Sequence, residues 1–380
     1  MAKYNFDKII DRRKTDSLRW SHYDKLVIPL WVADMDFESP NCVVKAMINR
    51  VNHGVYGYPL EPKDFKKNIV NYVKKHYEWE IEENWIVIIP SVVSALYSIA
   101  VNCTINSSHI ITPKPVYHHL RLAAEQSKRD FDEAELETIK NRQVLSLKGL
   151  KKVVNNKSKL LYLCNPHNPG GSVFRKNELE NIIDFCEKNN MFICSDEIHA
   201  GMVLGAHKHI PIASISEIAA NRTITLMSLS KTFNFPGAGL GWMICKDEKL
   251  REMASHGLGS IIPNPDIFGY ITTDAAMKEG DEWRLALIDY LKKNKKLLVE
   301  KINQIPGLNL YDMEASYLGW ISCEHLPVKN PFQLFLNHGV ALQPGYMFNQ
   351  PNHVRINIAT PYSILSEALK RMENAIQSIN

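Results

Sequence analysis

No two of the seven cysteines stand in a C-x-x-C pair, and their odd number is scattered from Cys42 to Cys323. A compact zinc site, a dithiol redox motif and a disulfide-stapled scaffold are thereby disfavoured, and buried thiols in a reducing compartment are expected. Charge of one sign is also lacking. Lys and Arg number 45 against 41 Asp and Glu, and a net +4 over 380 residues gives no footprint for a nucleic-acid partner. The N-terminus, MAKYNFDKIIDRRKTD, has no apolar core of the kind a signal peptide needs, so a cytoplasmic protein is expected. From Trp85 to Pro113 there is no Asp, Glu, Lys or Arg, but Pro90, Ser91, Ser94 and Ser98 interrupt the run. It reads as a buried strand, a turn and a core helix rather than a membrane span.

Common nucleotide and hydrolase signatures are missing. No G-x-x-x-x-G-K-[ST] loop or G-x-S-x-G elbow occurs, and GAGLG (237–241) lacks dinucleotide-fingerprint spacing. The pairs HH (118–119) and HKH (207–209) have neither i, i+4 spacing nor an acidic companion, and read as surface histidines.

What is present is the composition of a folded globular chain, 45% hydrophobic and 23% charged. Phe65, Ile69, Tyr72, Val73 and His76 share one helical face, as do Leu179, Ile182, Ile183 and Cys186, where Asn177 and Glu180 suggest a capping box. Between such helices KLLYLC (159–164), MFICS (191–195), TITLMS (223–228) and GWMIC (241–245) are continuous apolar runs, the pattern of strands covered on both faces. An α/β fold follows, its mostly parallel sheet between helices. GWISCEHL, VRINIA and a terminal helix marked by Leu365, Ala368, Leu369, Met372, Ile376 and Ile379 suggest a smaller α+β domain. A helical run beginning near Asp281 marks the clearest boundary. The expected division is an N-terminal segment 1–48 contributing to the small domain, a large domain 49–284 and the small domain 285–380.

Ligands of open α/β sheets bind where strands end. Three such ends carry polar motifs: NPHNPGG after KLLYLC, SDEIH after MFIC, and SLSKTFNFPG after TITLM. Asn168 and Asp196 lie 28 residues apart, and Asp196 and Lys231 lie 35 apart, room for one helix and one strand in each interval.

These three ends resemble the N-P-x-N-P, S-D-E and S-x-S-K motifs of the class I and II aminotransferase superfamily, which uses pyridoxal 5'-phosphate. Within it, PLWVADMDF (29–37), HGVYGYP (53–59), SDEIH and SKTFNFPG resemble the MalY/PatB family of carbon–sulfur lyases. The resemblance implies fold type I and a role for each matching residue. Lys231 is the amine that condenses with the cofactor aldehyde, Asp196 the partner of the pyridine nitrogen, and Asn168 a donor to the phenolic oxygen. Ser228, Ser230 and the helix N-terminus at Val92 and Val93 are expected to hold the phosphate. Tyr117 is expected to stack on the ring, and Arg355 to clamp the substrate carboxylate with its planar fork.

Two departures from typical aminotransferases support the lyase branch. His199 stands where they have tyrosine, and Leu240 where they have an arginine that counters the phosphate. Tyr58 matches a tyrosine that reaches the phosphate from the neighbouring subunit, which implies a homodimer with shared sites. Gly170 and Gly171 replace the threonine and glycine of the usual N-P-T-G, removing a hydroxyl. The expected reaction is β-elimination of a thiol from a cysteine S-conjugate such as cystathionine, a small-molecule substrate, with release of pyruvate and ammonia. Transamination is the alternative. A regulatory domain is disfavoured, because nothing ahead of PLWVADMDF has room for a winged helix.

Overall fold

The computed structural model describes residues 4–379. Seven strands form the main sheet: β1 (Ile86–Ile89), β2 (His109–Lys114), β3 (Asp130–Glu135), β4 (Ser158–Cys164), β5 (Phe192–Asp196), β6 (Thr223–Met227) and β7 (Gly241–Ile244). Their order across the sheet is β1-β7-β6-β5-β4-β2-β3, with β7 antiparallel to both of its neighbours and the other pairs parallel. The apolar runs read from the sequence are the interior of this sheet. Every residue of β6 and β7 is buried, as sandwiching by helices requires.

Helices cover both faces. In α1 (Phe65–Tyr77) Phe65, Ile69, Tyr72 and Val73 are buried, as their spacing predicts. In α2 (Val92–Asn102) the Ser91 side chain caps the first turn by accepting from the Ser94 amide. The next long helix, α3 (Lys176–Lys188), buries Leu179, Ile182, Ile183 and Cys186, but its cap differs from the sequence reading. Glu178, not Glu180, reaches back to accept from the Arg175 amide at 2.7 Å, because the helix begins one residue before Asn177. Helices α4 (Ile267–Glu279) and α5 (Asp281–Ile302) follow, α5 starting where the boundary signal lay.

A second, antiparallel sheet holds β8 (Asn309–Leu310), β9 (Leu318–Ser322), β10 (Gln343–Pro344) and β11 (His353–Asn357) in the order β8-β9-β11-β10. Helix α6 (Tyr362–Gln377) buries Leu365, Ala368, Leu369, Met372 and Ile376, and Ile379 packs just beyond its end. One element crosses between the two sheets. Residues 31–37 form a strap held by side chains from both: Asn234 pairs with the backbone of Met35 and Phe37, and Asn357 donates to the carbonyls of Val32 and Asp34, each at 2.6 Å. The fully buried Arg19 anchors it further through Asp34 and Asp36.

Candidate active site

The carboxyl ends of β4, β5 and β6 open into one cavity of about 480 Å³, lined by Asn168, Asp196, His199, Ser228, Ser230 and Lys231. The first turn of α2 adds Val92 and Val93, the loop after β2 adds Tyr117, and β11 adds Arg355. Ten of the eleven residues singled out from the sequence therefore meet in one place. Tyr58 does not. It is fully exposed, on the irregular segment between residues 54 and 64.

Lys231 sits at the centre. Its Nζ donates to the Ala33 carbonyl at 2.7 Å. Burial, helped by the charge of Arg355, lowers its pKa to about 8 although Asp34 and Asp196 pull the other way. Burial raises Asp196 to about 7, against the Ile198 amide that hydrogen-bonds it and against Lys231. The same desolvation, with Lys231 and Arg355 nearby, drives His199 down to about 3, so its imidazole stays neutral and its Nδ1 meets the Ser316 hydroxyl at 3.3 Å. Arg355 is buried too, and its pKa falls to about 10. One Nη donates to Asn168 Oδ1 at 3.0 Å and the other to the Trp31 carbonyl at 2.9 Å, while Nε has no partner among the described residues.

The donor set suits a phosphorylated aromatic aldehyde. The Ser91 side chain accepts from the Ser94 amide alone, which leaves the Val92 and Val93 amides uncapped in a first turn that lines the cavity, where a helix N-terminus favours an anion. Ser228 Oγ is tied to the Leu240 carbonyl at 2.6 Å and lies 2.9 Å from Ser230 Oγ, so the Ser230 hydroxyl is the freer donor. Leu240 is buried and supplies no countercharge, as its sequence position implied. The Gly170–Gly171 departure has a steric reason. A Cβ at Gly170 would lie 2.7 Å from His167 Nδ1 and 2.9 Å from Gln143 Oε1, so the turn that presents Asn168 is packed rather than loosened.

Sequence reasoning missed several contributors. Trp31 and Ala33 act through carbonyls, which carry no side-chain signature. Tyr317, buried just before β9, donates to the Ala33 carbonyl at 3.1 Å, and Gln343 enters because β10 registers it opposite Arg355. Two histidine readings also change. His209 is buried, with Nε2 2.7 Å from Glu197, and His118 is half-buried and lines the cavity; of the two histidines in HKH, His207 alone is exposed. The acidic companion of His209 was hidden because it lies 12 residues away.

A mostly parallel sheet whose strand ends gather a desolvated lysine, a buried aspartate and a buried arginine defines a fold type I enzyme core, and the chain belongs to the aminotransferase class I and II family, whose model matches residues 25–372. Among its relatives, cystathionine beta-lyase PatB of Bacillus subtilis is 28% identical, over 98% of this chain and 100% of that protein. The crystal structure of OvoB matches with 37% identity and a TM-score of 0.96, over 99% of this chain and 100% of that one. Cystalysin from Treponema denticola, whose structure contains pyridoxal 5'-phosphate, matches with 28% identity and a TM-score of 0.95, over 99% and 100% of the two chains.

Proposed function

We propose that the protein is a pyridoxal 5'-phosphate-dependent carbon–sulfur β-lyase that splits a cysteine S-conjugate into a thiol, pyruvate and ammonia. The observation that carries this reading is the placement of Lys231, with its lowered pKa, between Asp196 and Arg355 in one buried cavity. When bound, the cofactor supplies an aldehyde for amine exchange and a ring that withdraws electrons from the substrate Cα.

The remaining work falls to the chain. The amides of Val92 and Val93 and the Ser230 hydroxyl would hold the phosphate, and Tyr117 would pack against the ring. Asp196 would pair with the ring nitrogen. Asn168, whose Oδ1 accepts from Arg355, would have its amide free to donate to the phenolic oxygen. Arg355 takes the substrate carboxylate with its unpartnered Nε and the second hydrogens of its Nη atoms. Lys231, released from its bond to Ala33, removes the Cα proton at Nζ. The Cβ–S bond then breaks, the sulfur leaves as thiolate, and the three-carbon fragment takes up water to give pyruvate and ammonia.

Cystathionine supplied without any keto acid should yield pyruvate and homocysteine in equal amounts. Pyruvate that appears only when a keto-acid acceptor is added would instead identify an aminotransferase.

We further infer a homodimer in which Tyr58 of each chain completes the partner's site. Its support is the exposure of Tyr58 together with Val55, Tyr56 and Leu60 on one segment. A cytoplasmic location agrees with seven unpaired cysteines, and no helix among the described residues is long and apolar enough to cross a membrane. The division at residues 48/49 and 284/285 is likewise proposed.

A further inference from the structure

Beyond the residues that serve the cofactor and the substrate carboxylate, one wall of the active-site cavity is formed by Leu18, Trp31, His118, Gln343, Met347 and Phe348. This wall stands beside Arg355. The Trp31 carbonyl accepts from Arg355 at 2.9 Å, the guanidinium carbon lies 5.2 Å from the centre of the Phe348 ring, and Gln343 is registered opposite Arg355 across β10 and β11. A substrate whose carboxylate is held by Arg355, with its amine beside Lys231, has its sulfur arm left to run along this wall.

The wall is apolar and uncharged. Apart from histidine, the only acidic or basic side chains lining the cavity are Asp196, Lys231 and Arg355, each with a task already. Burial, together with nearby His119, Arg355 and Arg121, lowers the His118 pKa to about 4, so its imidazole is neutral at pH 7. Gln343 turns its amide to the neighbouring thioether, with Nε2 2.6 Å from Met347 Sδ. The rings of His22 and Tyr23 pack against Trp31 at 5.1 and 5.8 Å, and Leu18, in the short helix Leu18–Ser21, lines the cavity while 65% exposed, which puts it at the rim. The segment 54–60, GVYGYPL, inferred above to reach a partner's site, brings no charged side chain either.

The homocysteine half of cystathionine ends in an ammonium and a carboxylate. Drawing these against the wall strips water from both and returns no ion pair, which is unfavourable. A ring on the sulfur escapes that cost and gains contact with Leu18, Trp31 and Phe348. We propose that the site selects cysteine conjugates whose sulfur carries an uncharged aromatic group, with Leu18, Trp31 and Phe348 as specificity-determining residues. The proposal rests on the lyase reading for the reaction, and the test separates the two.

S-benzyl-L-cysteine and L-cystathionine are compared on the enzyme loaded with pyridoxal phosphate, with two readouts. Pyruvate release follows the lyase reaction, and stopped-flow absorbance of the cofactor follows amine exchange in a lyase and an aminotransferase alike. The benzyl compound is expected to have a kcat/KM higher, and a half-saturation in the absorbance change lower, each by about tenfold or more. Because Leu18 is exposed, its variants spare the fold. Leu18→Ala should lower the ratio of kcat/KM for S-benzyl-cysteine over S-methyl-cysteine about threefold. Leu18→Glu, which sets a carboxylate at the rim, should shift the benzyl-to-cystathionine ratio about tenfold towards cystathionine. A wild-type preference for cystathionine, equal use of the two, or ratios that both variants leave unmoved overturns the proposal. An absorbance preference for the benzyl compound, with pyruvate from neither, upholds it and ends the lyase reading instead.

Discussion

Asp196 and Lys231 are both held away from their ordinary ionisation, in opposite directions, by the same dry cavity. The aspartate keeps a proton in the folded protein up to about 7 that an unfolded chain loses near 3.8. Its contribution to stability in the cofactor-free protein is therefore full below 3.8 and is lost as pH rises through about 7. The buried neutral histidines, His118 and His167 at about 4 and His199 at about 3, act with the opposite sign. The comparison that isolates the aspartate is thus between wild type and Asp196→Asn, both without cofactor. Their difference in unfolding free energy should move in favour of the variant from pH 4 to 7 and level off above, which chemical denaturation at each pH would measure. Arg355 invites a kinetic test. Replacing its fork by a point charge in Arg355→Lys should raise KM for a free S-alkyl-cysteine, by up to about 2–5 kcal/mol in binding. A cysteinyl-glycine conjugate, whose amide carbonyl stands where the carboxylate belongs, should suffer less; equal losses on both would remove the carboxylate-reading role. These residues were legible in the sequence because their side chains carry unusual chemistry at strand ends. Tyr317 was not, since a tyrosine before an apolar strand looks like any core aromatic.

At the level of elements, legibility followed burial. Strands β4 to β7 show as continuous apolar runs because helices cover both faces, whereas β3, DFDEAE, lies at the sheet edge with its charges in solvent and shows no run at all. The cap of α3 slipped because Asn177 and Glu180 fit the capping pattern while the actual N-cap, Arg175, is a residue type that gives no cap signal, so the sequence does not show that Glu178 reaches the free amide. Helix α2 is where an element acts directly on chemistry. Its N-cap hydroxyl closes the first turn on the Ser94 amide, and Val92 and Val93 of that turn line the cavity. Ser91→Ala should cost about 1 kcal/mol of stability. Urea midpoints measured with and without pyridoxal phosphate should show a larger loss for the loaded protein, because a frayed first turn no longer presents its amides.

The whole molecule is needed to assemble what neither sheet holds alone. Lys231 follows a strand of the large sheet, Arg355 lies in the small one, and Tyr58 is absent from the lining of the active-site cavity in its own chain. If Tyr58 serves a partner, inactive Lys231→Ala and Tyr58→Phe subunits refolded together should regain activity, since hybrid dimers contain one site with both wild-type residues. Mixed samples that exchange subunits, as mass spectrometry would show, yet stay inactive would rule out sharing. This feature could be read in the sequence only through resemblance, because an exposed tyrosine on an irregular segment has no local signature.

The strap that ties the two sheets together hydrogen-bonds Lys231 and Arg355 through the carbonyls of Ala33 and Trp31. Main-chain contacts are indifferent to which side chain sits on the strap but unforgiving of where each carbonyl falls. Conservative replacements at Val32 should therefore leave turnover nearly intact, while deleting that one residue should abolish it in a protein that still folds, as circular dichroism would verify. In this stretch, length rather than identity is what the site inherits.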